Sequence, residues 1–562
     1  MNLAAGKSAS CNVAGGLAQQ ARRQGSAAAI HYPTGITKGQ LRYSVCSYAE
    51  LDELSNTYAR GLHEYGIPRG TRTALMMPPG LDFFAMFFAM FKAGVVPVLI
   101  DPGIGLKPLK HCLEEAAPQA FIGVTRAQAA RALLRWAPGS IDKLITAGPK
   151  IGWRGITTRQ LASLGNRTSG AVLESTRPGE IAAILFTSGS TGIPKGVVYR
   201  HRHFTAQVEM LKSAFGIREG EIDLPTFPPF ALFDPALGMT TVIPWMDPTR
   251  PAKASAELLV QAIERFSVTN VFGSPALLRV LGDYTSSRGI KLPTINRVIS
   301  AGAAVPTDVI RTMVSSMRED AQVFTPYGAT ECLPVTSISS KELGDDVVER
   351  TLRGDGICVG KAVTPNKVRI MAIKDSAIDH LEESLLMPPG VCGEVIVHGP
   401  TTTDAYWRRE EQTRLSKMTD DKGRIWHRMG DIGYLDESDR LWYCGRKSQR
   451  VETANQVLFP DQVEAVFNAH PEVLRTALVS IARAGSACPV LCVELSARPG
   501  KQRRECIRTD LLQIASSNKQ LAEIETVLFH PGFPVDIRHN AKIGREKLAI
   551  WAAGKLGPVN TE

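Results

Sequence analysis

Ile184-Leu185-Phe186-Thr187-Ser188-Gly189-Ser190-Thr191-Gly192-Ile193-Pro194-Lys195-Gly196-Val197 is the stretch around which the rest of this chain is organised. The apolar run from Ile181 to Phe186 has the length and composition of a buried strand. It opens into a loop with three glycines, four hydroxyl side chains and one lysine. Glycines let backbone N–H groups turn inward without steric penalty. Hydroxyls and an ammonium then complete a cradle for phosphate oxygens. This is not the P-loop pattern G-x-x-x-x-G-K-[ST], because Lys195 sits between Pro194 and Gly196 and no hydroxyl follows it.

At 562 residues the chain exceeds a single core, and its length suggests about three or four domains or subdomains. With 44% hydrophobic and 21% charged residues it has the balance of an ordinary globular protein. No stretch reaches the roughly 18 apolar residues that a membrane span requires. The nearest approach, Leu81 to Ile100, carries Asp82 and Lys92 and reads as a core helix followed by a strand. Met1 to Ser10 lacks the apolar segment of a secretory signal. The ten cysteines form no Cys-x-x-Cys pair, so reduced thiols and a cytoplasmic location are expected. The net charge of +10 is dispersed and forms no aromatic-interleaved basic stripe, which argues against nucleic acid as a partner. Weak association with acidic surfaces stays compatible with it.

Outward from the loop, strands alternate with helices. Tyr48–Tyr65, Leu81–Gly94, Leu106–Ala117 and Arg126–Ala137 read as helices, and Thr73–Met77, Val95–Ile100, Ala120–Val124 and Lys143–Ala147 as strands. That alternation predicts a parallel, doubly wound sheet. A second set follows, with helices at His203–Phe215 and Ser255–Phe266 and strands at Asn270–Phe272 and Arg297–Ser300. From Val391 the pattern changes to period-two alternation, predicting a small antiparallel β subdomain. The polar segment Lys374–Pro389 reads as a mobile loop. After Gly445-Arg446-Lys447-Ser448 a separate small α+β module is expected.

Two more loops fall where an open α/β sheet places ligands. They are Ser300-Ala301-Gly302-Ala303-Ala304-Val305-Pro306 and Thr325-Pro326-Tyr327-Gly328-Ala329-Thr330-Glu331. With the phosphate loop, with Met429-Gly430-Asp431 and with Asn540-Ala541-Lys542, they occur in the order seen in the adenylate-forming superfamily, which the chain resembles over nearly its whole length. That superfamily includes acyl-CoA synthetases, luciferases and peptide-synthetase adenylation domains. The resemblance implies an α/β fold with a large N-terminal AMP-binding domain, 1–446, of two doubly wound subdomains plus a small β subdomain. A small mobile α+β lid, 447–562, would carry the adenylation lysine.

By the same resemblance, Thr187, Ser188, Gly189, Ser190, Thr191, Gly192 and Lys195 would hold the ATP phosphates. Glu331, with Thr187, would hold Mg²⁺, a hard ion that prefers oxygen ligands. Tyr327, with Gly328 and Thr330 in its motif, would pack on adenine beside Gly302, Ala303 and Ala304. Asp431 would accept from the ribose hydroxyls with Arg446 nearby, and Lys542 would be the adenylation lysine. The chemistry agrees. A carboxylate attacking the α-phosphorus brings two anions together as pyrophosphate leaves, so cations and N–H donors must neutralise the developing charge.

Departures from the superfamily pattern bear on substrate. Ala231 stands where many acyl-CoA synthetases have histidine, Ser448 follows Gly-Arg-Lys at the hinge, and Glu452-Thr453-Ala454-Asn455-Gln456 lacks the usual glycine. These changes weaken the case for thioester chemistry. The runs Val198–Phe204, Leu224–Pro235 and Asp536–Arg545 resemble the branch that closes β-lactones in bacterial long-chain olefin biosynthesis. That branch implies a 2-alkyl-3-hydroxyalkanoate with long alkyl chains as substrate, and an assembly with other enzymes of the pathway. Phe230, Phe233 and Asp234 are candidate substrate-pocket residues, Asp234 as a base for the 3-hydroxyl. A medium- or long-chain fatty acyl-CoA or fatty acyl-AMP ligase is the alternative.

Overall fold

The computed structural model describes residues 11–187, 194–227, 229–483, 486–535 and 543–557. The chain enters through a helix, Gly15–Gln24, and a hairpin of β1 (Ala28–Thr37) and β2 (Gln40–Ser47). The helix Tyr48–Glu64 starts on a capping box, in which Ser47 accepts from the Glu50 N–H and Glu50 accepts from the Ser47 N–H.

The first sheet then builds from β3 (Arg72–Met76), β4 (Val96–Leu99), β5 (Ala120–Val124), β6 (Lys143–Ala147), β7 (Ile156–Thr157), β8 (Ile181–Phe186) and β9 (Gly196–Arg200). Its order is β7-β6-β5-β3-β4-β8-β9, and every pair is parallel except β8–β9. The helix Leu81–Lys92 is buried almost all round, which is why it reads as apolar enough to approach a membrane span. Its two charges are satisfied locally. Asp82 accepts from the Tyr58 hydroxyl at 3.0 Å, and the buried Lys92 donates to Asp52 and Asn56 at 2.7 Å each. Among the described residues no helix is long and apolar enough to cross a membrane.

The second sheet contains β10 (Ile222–Pro225), β11 (Thr240–Val242), β12 (Asn270–Gly273), β13 (Arg297–Ser300), β14 (Gln322–Ala329) and β15 (Cys332–Ser339). It runs β15-β14-β13-β12-β10-β11-β1-β2, with Lys361–Ala362 outside β15. The N-terminal hairpin joins this second sheet, through β1 beside β11. One feature departs from the sequence reading. The stretch expected as a loop from Thr325 is largely strand: β14 runs to Ala329 and turns at Thr330-Glu331 directly into β15. A Cβ on Gly328 would meet the Cys332 carbonyl at 2.8 Å, so the close approach within this hairpin requires glycine.

The third sheet is antiparallel throughout and centres on the long strand Ile425–Leu435. Lys374–Pro389, expected to be mobile, is anchored on it. Leu381 is buried against Met418 and Trp426, and His380 bridges to Thr419. The apolar residues spaced through this polar segment supply the anchors.

Beyond Arg446 come a three-stranded sheet, Val473–Arg483, Ser486–Leu495 and Thr526–Phe529, and helices Pro460–Asn468, Lys501–Ser517 and Arg545–Leu556. Its two apolar cores draw their buried residues entirely from positions after 450.

Candidate active site

A single cavity of about 2500 Å³ crosses the carboxyl ends of both large sheets and reaches the third sheet and the C-terminal module. The carboxyl ends of parallel strands are where such sheets leave room for ligands. Typical small-molecule pockets span roughly 300–1,000 Å³, so this space exceeds what one nucleotide fills.

The phosphate loop leaves β8 at Thr187 and rejoins β9 after Lys195. Its base is closed by two bonds: the Thr187 N–H donates to the Lys195 carbonyl at 3.0 Å, and the Lys195 N–H donates to Thr187 Oγ1 at 3.2 Å. Ser188, Gly189, Ser190, Thr191 and Gly192 lie outside the described residues, as does Lys542. The Lys195 ammonium stands 4.9 Å from the centre of the Tyr406 ring. Burial pushes its pKa down, while the Glu331 carboxylate draws it up.

Glu331 is buried at the β14–β15 turn. Its backbone carbonyl accepts from the Thr403 N–H at 2.9 Å and the Thr403 hydroxyl at 3.0 Å. Its carboxylate accepts from the Tyr406 hydroxyl at 2.5 Å. Burial and then Glu331 push the Tyr406 phenol far above its usual range, so Tyr406 stays a donor at every physiological pH. Behind them the fully buried Lys417 donates to Thr403, and burial lowers its pKa to about 8.

Tyr327 and Asp431 form the other wall. The Tyr327 hydroxyl donates to Asp431 Oδ2 at 2.5 Å, and Arg446 Nη1 stands 2.9 Å from Asp431 Oδ1. Burial raises the Asp431 carboxyl, against the pull of Arg446, and Asp431 is the main cause that raises Arg446. Gly302, Ala303 and Ala304 line the cavity after β13, and Gly302 has a φ of +98°, where a side chain would be strained. Gly328 and Thr330 line it too. Just beyond Arg446, the Lys447 ammonium is held at 3.1 Å by Glu394, which also pairs with the buried Arg428 at 2.7 Å.

Of the candidate substrate residues, Phe230 and Phe233 line the cavity and Asp234 does not. Asp234 opens a short helix, Asp234–Leu237, and is fully buried. It accepts from the Thr241 hydroxyl on β11 at 2.6 Å and neighbours the equally buried Asp223. Burial holds both carboxyls above the ordinary range, and the Asp223 charge adds to the rise at Asp234. The folded protein therefore keeps protons that the unfolded chain releases near about pH 4. More protons bound at this pair in the folded state means that its contribution to stability is greatest at acid pH and declines as pH rises through neutrality. From about pH 5 to about pH 8 the pair therefore lowers the slope of melting temperature against pH, and Asp234→Asn is expected to make that slope more positive while adenylation persists. Differential scanning calorimetry over that range, with pyrophosphate exchange on the same samples, checks both. A variant with unchanged slope and lost adenylation would return Asp234 to the chemistry.

The sequence reading did not single out Tyr406, Lys417, Tyr199 or His427. Tyr199 donates to the Thr330 carbonyl at 2.6 Å, and His427 lines the cavity, kept neutral by burial and by Lys417. Long-range pairings bring this group to the loop: Val197 bridges to Tyr406, and the Trp407 N–H donates to the Gly196 carbonyl at 2.7 Å.

A strand-to-strand connection closed at its base, a buried acid beside two amines, and an aspartate–arginine pair facing a tyrosine line one cavity at the carboxyl ends of the sheets. The chain belongs to the AMP-binding enzyme family, which matches residues 17–407. It is 52% identical, over 97% of its length and 98% of the relative's, to an olefin beta-lactone synthetase of Xanthomonas campestris pv. campestris. To the olefin beta-lactone synthetase of Stenotrophomonas maltophilia it is 51% identical, over 97% and 99% of the two chains. Its fold is that of the amide bond synthetase McbA from Marinactinospora thermotolerans, with a TM-score of 0.77 at 22% identity, covering 97% of this chain and 100% of that one. It is also that of the O-succinylbenzoate coenzyme A synthetase of Bacillus subtilis in complex with AMP, with a TM-score of 0.73 at 19% identity and coverage of 95% and 97%.

Proposed function

We propose that this chain is an ATP-dependent, AMP-forming ligase of long-chain olefin biosynthesis. It adenylates the carboxylate of a 2-alkyl-3-hydroxyalkanoate and closes the product to a β-lactone. The observation that carries the reading is identity above one half, along nearly the whole chain, to two relatives bearing that name.

A carboxylate oxygen of the substrate bonds to the α-phosphorus as the bond to pyrophosphate breaks. The substrate's own 3-hydroxyl oxygen then bonds to the acyl carbon, the bond to AMP breaks, and the hydroxyl proton is lost. The nucleophile of the second step is always beside the activated carbonyl, an entropic advantage no external acceptor has. In the first step Lys195 and the phosphate loop face the leaving phosphates. Asp431 and Arg446 hold the ribose, and Tyr327 with Gly302, Ala303 and Ala304 hold the adenine. Glu331 and Thr187 supply carboxylate and hydroxyl oxygens of the kind Mg²⁺ takes, phosphate oxygens and water completing its shell. Bound there, the ion would neutralise phosphate charge. The donor set fits, since the Glu331 carboxylate has only one described hydrogen-bond donor, Tyr406.

Arg446–Lys447 is the boundary of a lid, 447–562, that brings Lys542 to the site on closing. Separate apolar cores on its far side support that division. Ten unpaired thiols suit a reducing cytoplasm, and a place beside other enzymes of olefin biosynthesis is part of the same proposal.

The test is mass spectrometry of the products from a 2-alkyl-3-hydroxy acid with ATP and Mg²⁺, with and without coenzyme A. The expected product is lighter than the substrate by one water and appears with AMP in both conditions. A thioester formed only with coenzyme A, or a stable adenylate, would move the chain to the acyl-CoA or acyl-AMP ligases.

A further inference from the structure

The net charge of +10 is gathered more tightly in the fold than in the sequence. Between Arg126 and Arg154 lie six arginines and lysines (Arg126, Arg131, Arg135, Lys143, Lys150 and Arg154) against one acid, Asp142, a net of five of the ten charges. They come singly, four to eight positions apart, so no basic run marks them in the sequence. The fold places them along one edge of the first sheet: on the helix Thr125–Leu133 and the turn after it, on β6, and in the connection from β6 to the edge strand β7.

The Thr125 hydroxyl donates to the Pro149 carbonyl at 2.6 Å, which holds that connection beside the first turn of the helix. Trp153 pins it again, donating to Thr146 Oγ1 at 2.9 Å. Arg131 and Arg154 come close enough to repel: burial first, and then the Arg154 charge, lower the Arg131 pKa. Among the described residues none of the six cations forms an ion pair. Arg69, before β3, shows the contrast, paired with Glu174 at 3.1 Å. An anionic surface laid against the edge would relieve the repulsion.

The same edge carries bare apolar side chains. Leu133, at the end of the helix, is 83% exposed, more than any other large apolar side chain among the described residues, and Ile151, next to Lys150, is 64% exposed. Cations alone would suit any acidic partner. Cations interleaved with leucine and isoleucine suit the headgroup region of a bilayer. There the aliphatic side chains reach the acyl boundary while the charged groups stay with the phosphates.

We propose that the edge from Arg126 to Arg154 is a reversible docking surface for an anionic bilayer, held by its six cations, with Leu133 and Ile151 entering the headgroup boundary. The assignment does not rest on the lactone reading, but that reading gives it a use. An acid with two long alkyl chains partitions into membranes, and Arg126 belongs both to this edge and to the lining of the cavity. A docked enzyme meets such a substrate where it dissolves.

The test is cosedimentation of the full-length protein with vesicles, in the absence of substrate and ATP. One set is phosphatidylcholine alone, and the other contains phosphatidylglycerol as well. Binding is expected with the anionic set only, and it should weaken as salt is raised. Lys150→Glu with Arg154→Glu is expected to weaken it about 25-fold, and Leu133→Ser with Ile151→Ser about 10-fold. Lys361→Glu with Lys367→Glu reverses two exposed cations outside this edge, and should leave binding within about 3-fold. Melting temperatures check that each variant is folded. Absence of wild-type binding, or equal losses from the two charge-reversed variants, would overturn the proposal. Loss from the charge reversals but none from the apolar substitutions would overturn it too, pointing to an acidic macromolecule in place of a bilayer. With no substrate present, each of these results leaves the lactone reading where it stands.

Discussion

Glu331→Gln is expected to lower ATP–pyrophosphate exchange about 1000-fold, the size of loss that follows removal of a preorganised charged group from a water-poor site. The substitution keeps the shape of the side chain and an oxygen for the Tyr406 hydroxyl, so packing at the β14–β15 turn survives. What it removes is the negative charge that faces Lys195 and the buried Lys417. It also removes the carboxylate proposed to hold Mg²⁺. Tyr406→Phe separates the two contributions. It leaves the charge and deletes one hydrogen bond to it, which costs about 10-fold. Equal losses in the two variants would mean that the hydrogen bond, and not the charge, is what the site needs.

The parts of this site that lie in one continuous segment were legible in the sequence. The strand Ile181–Phe186 and the glycine–hydroxyl loop after it announce themselves because apolar periodicity and loop chemistry are local properties. Gly302 after β13 and the pair Asp431 and Arg446 were reached through the resemblance to a family; the two members of the pair sit opposite each other on adjacent strands of one sheet.

Tyr406, Lys417 and Tyr199 were not legible because their roles come from what they meet across the fold. Lys417 sits in Leu415-Ser416-Lys417-Met418-Thr419, where nothing marks it as buried. Its carboxylate partner is more than eighty positions earlier in the chain. Asp234 shows the opposite error. Its place after Pro228-Pro229-Phe230-Ala231-Leu232-Phe233 suggested a substrate contact, since the neighbouring phenylalanines do reach the cavity. One helical turn starts at Asp234, however, and points its carboxylate to Thr241 and Asp223. The direction of a side chain is set by that turn, which composition does not encode. The anchoring of Lys374–Pro389 was hidden in the same way. A polar segment with a buried leucine only here and there reads as loop until the surface it packs on is known.

Lys542→Ala is the change expected to divide the reaction most sharply. It should lower adenylation about 1000-fold, because the two anions that meet at the α-phosphorus lose a cation the rest of the site does not replace. Lys195 is held over Tyr406, Arg446 is committed to Asp431, and Lys417 is sealed behind Thr403. Arg545, three residues after Lys542, lines the cavity but is locked to Glu464 at 2.7 Å. A lysine delivered by the proposed lid would supply charge only while that lid is closed, which would keep ATP from being activated before the acid is bound. Ring closure makes a different demand. It expels AMP from an acyl carbon, with the nucleophile already in place, and no second phosphate anion approaches. The Ala variant given a synthetic 3-hydroxyacyl-adenylate should therefore form lactone within about 10-fold of the wild-type rate. Single-turnover assays, following AMP from ATP in one arm and from the adenylate in the other, measure both halves. Loss in both arms would show that Lys542 also serves ring closure; loss in neither would mean that adenylation draws its cation from elsewhere in the chain.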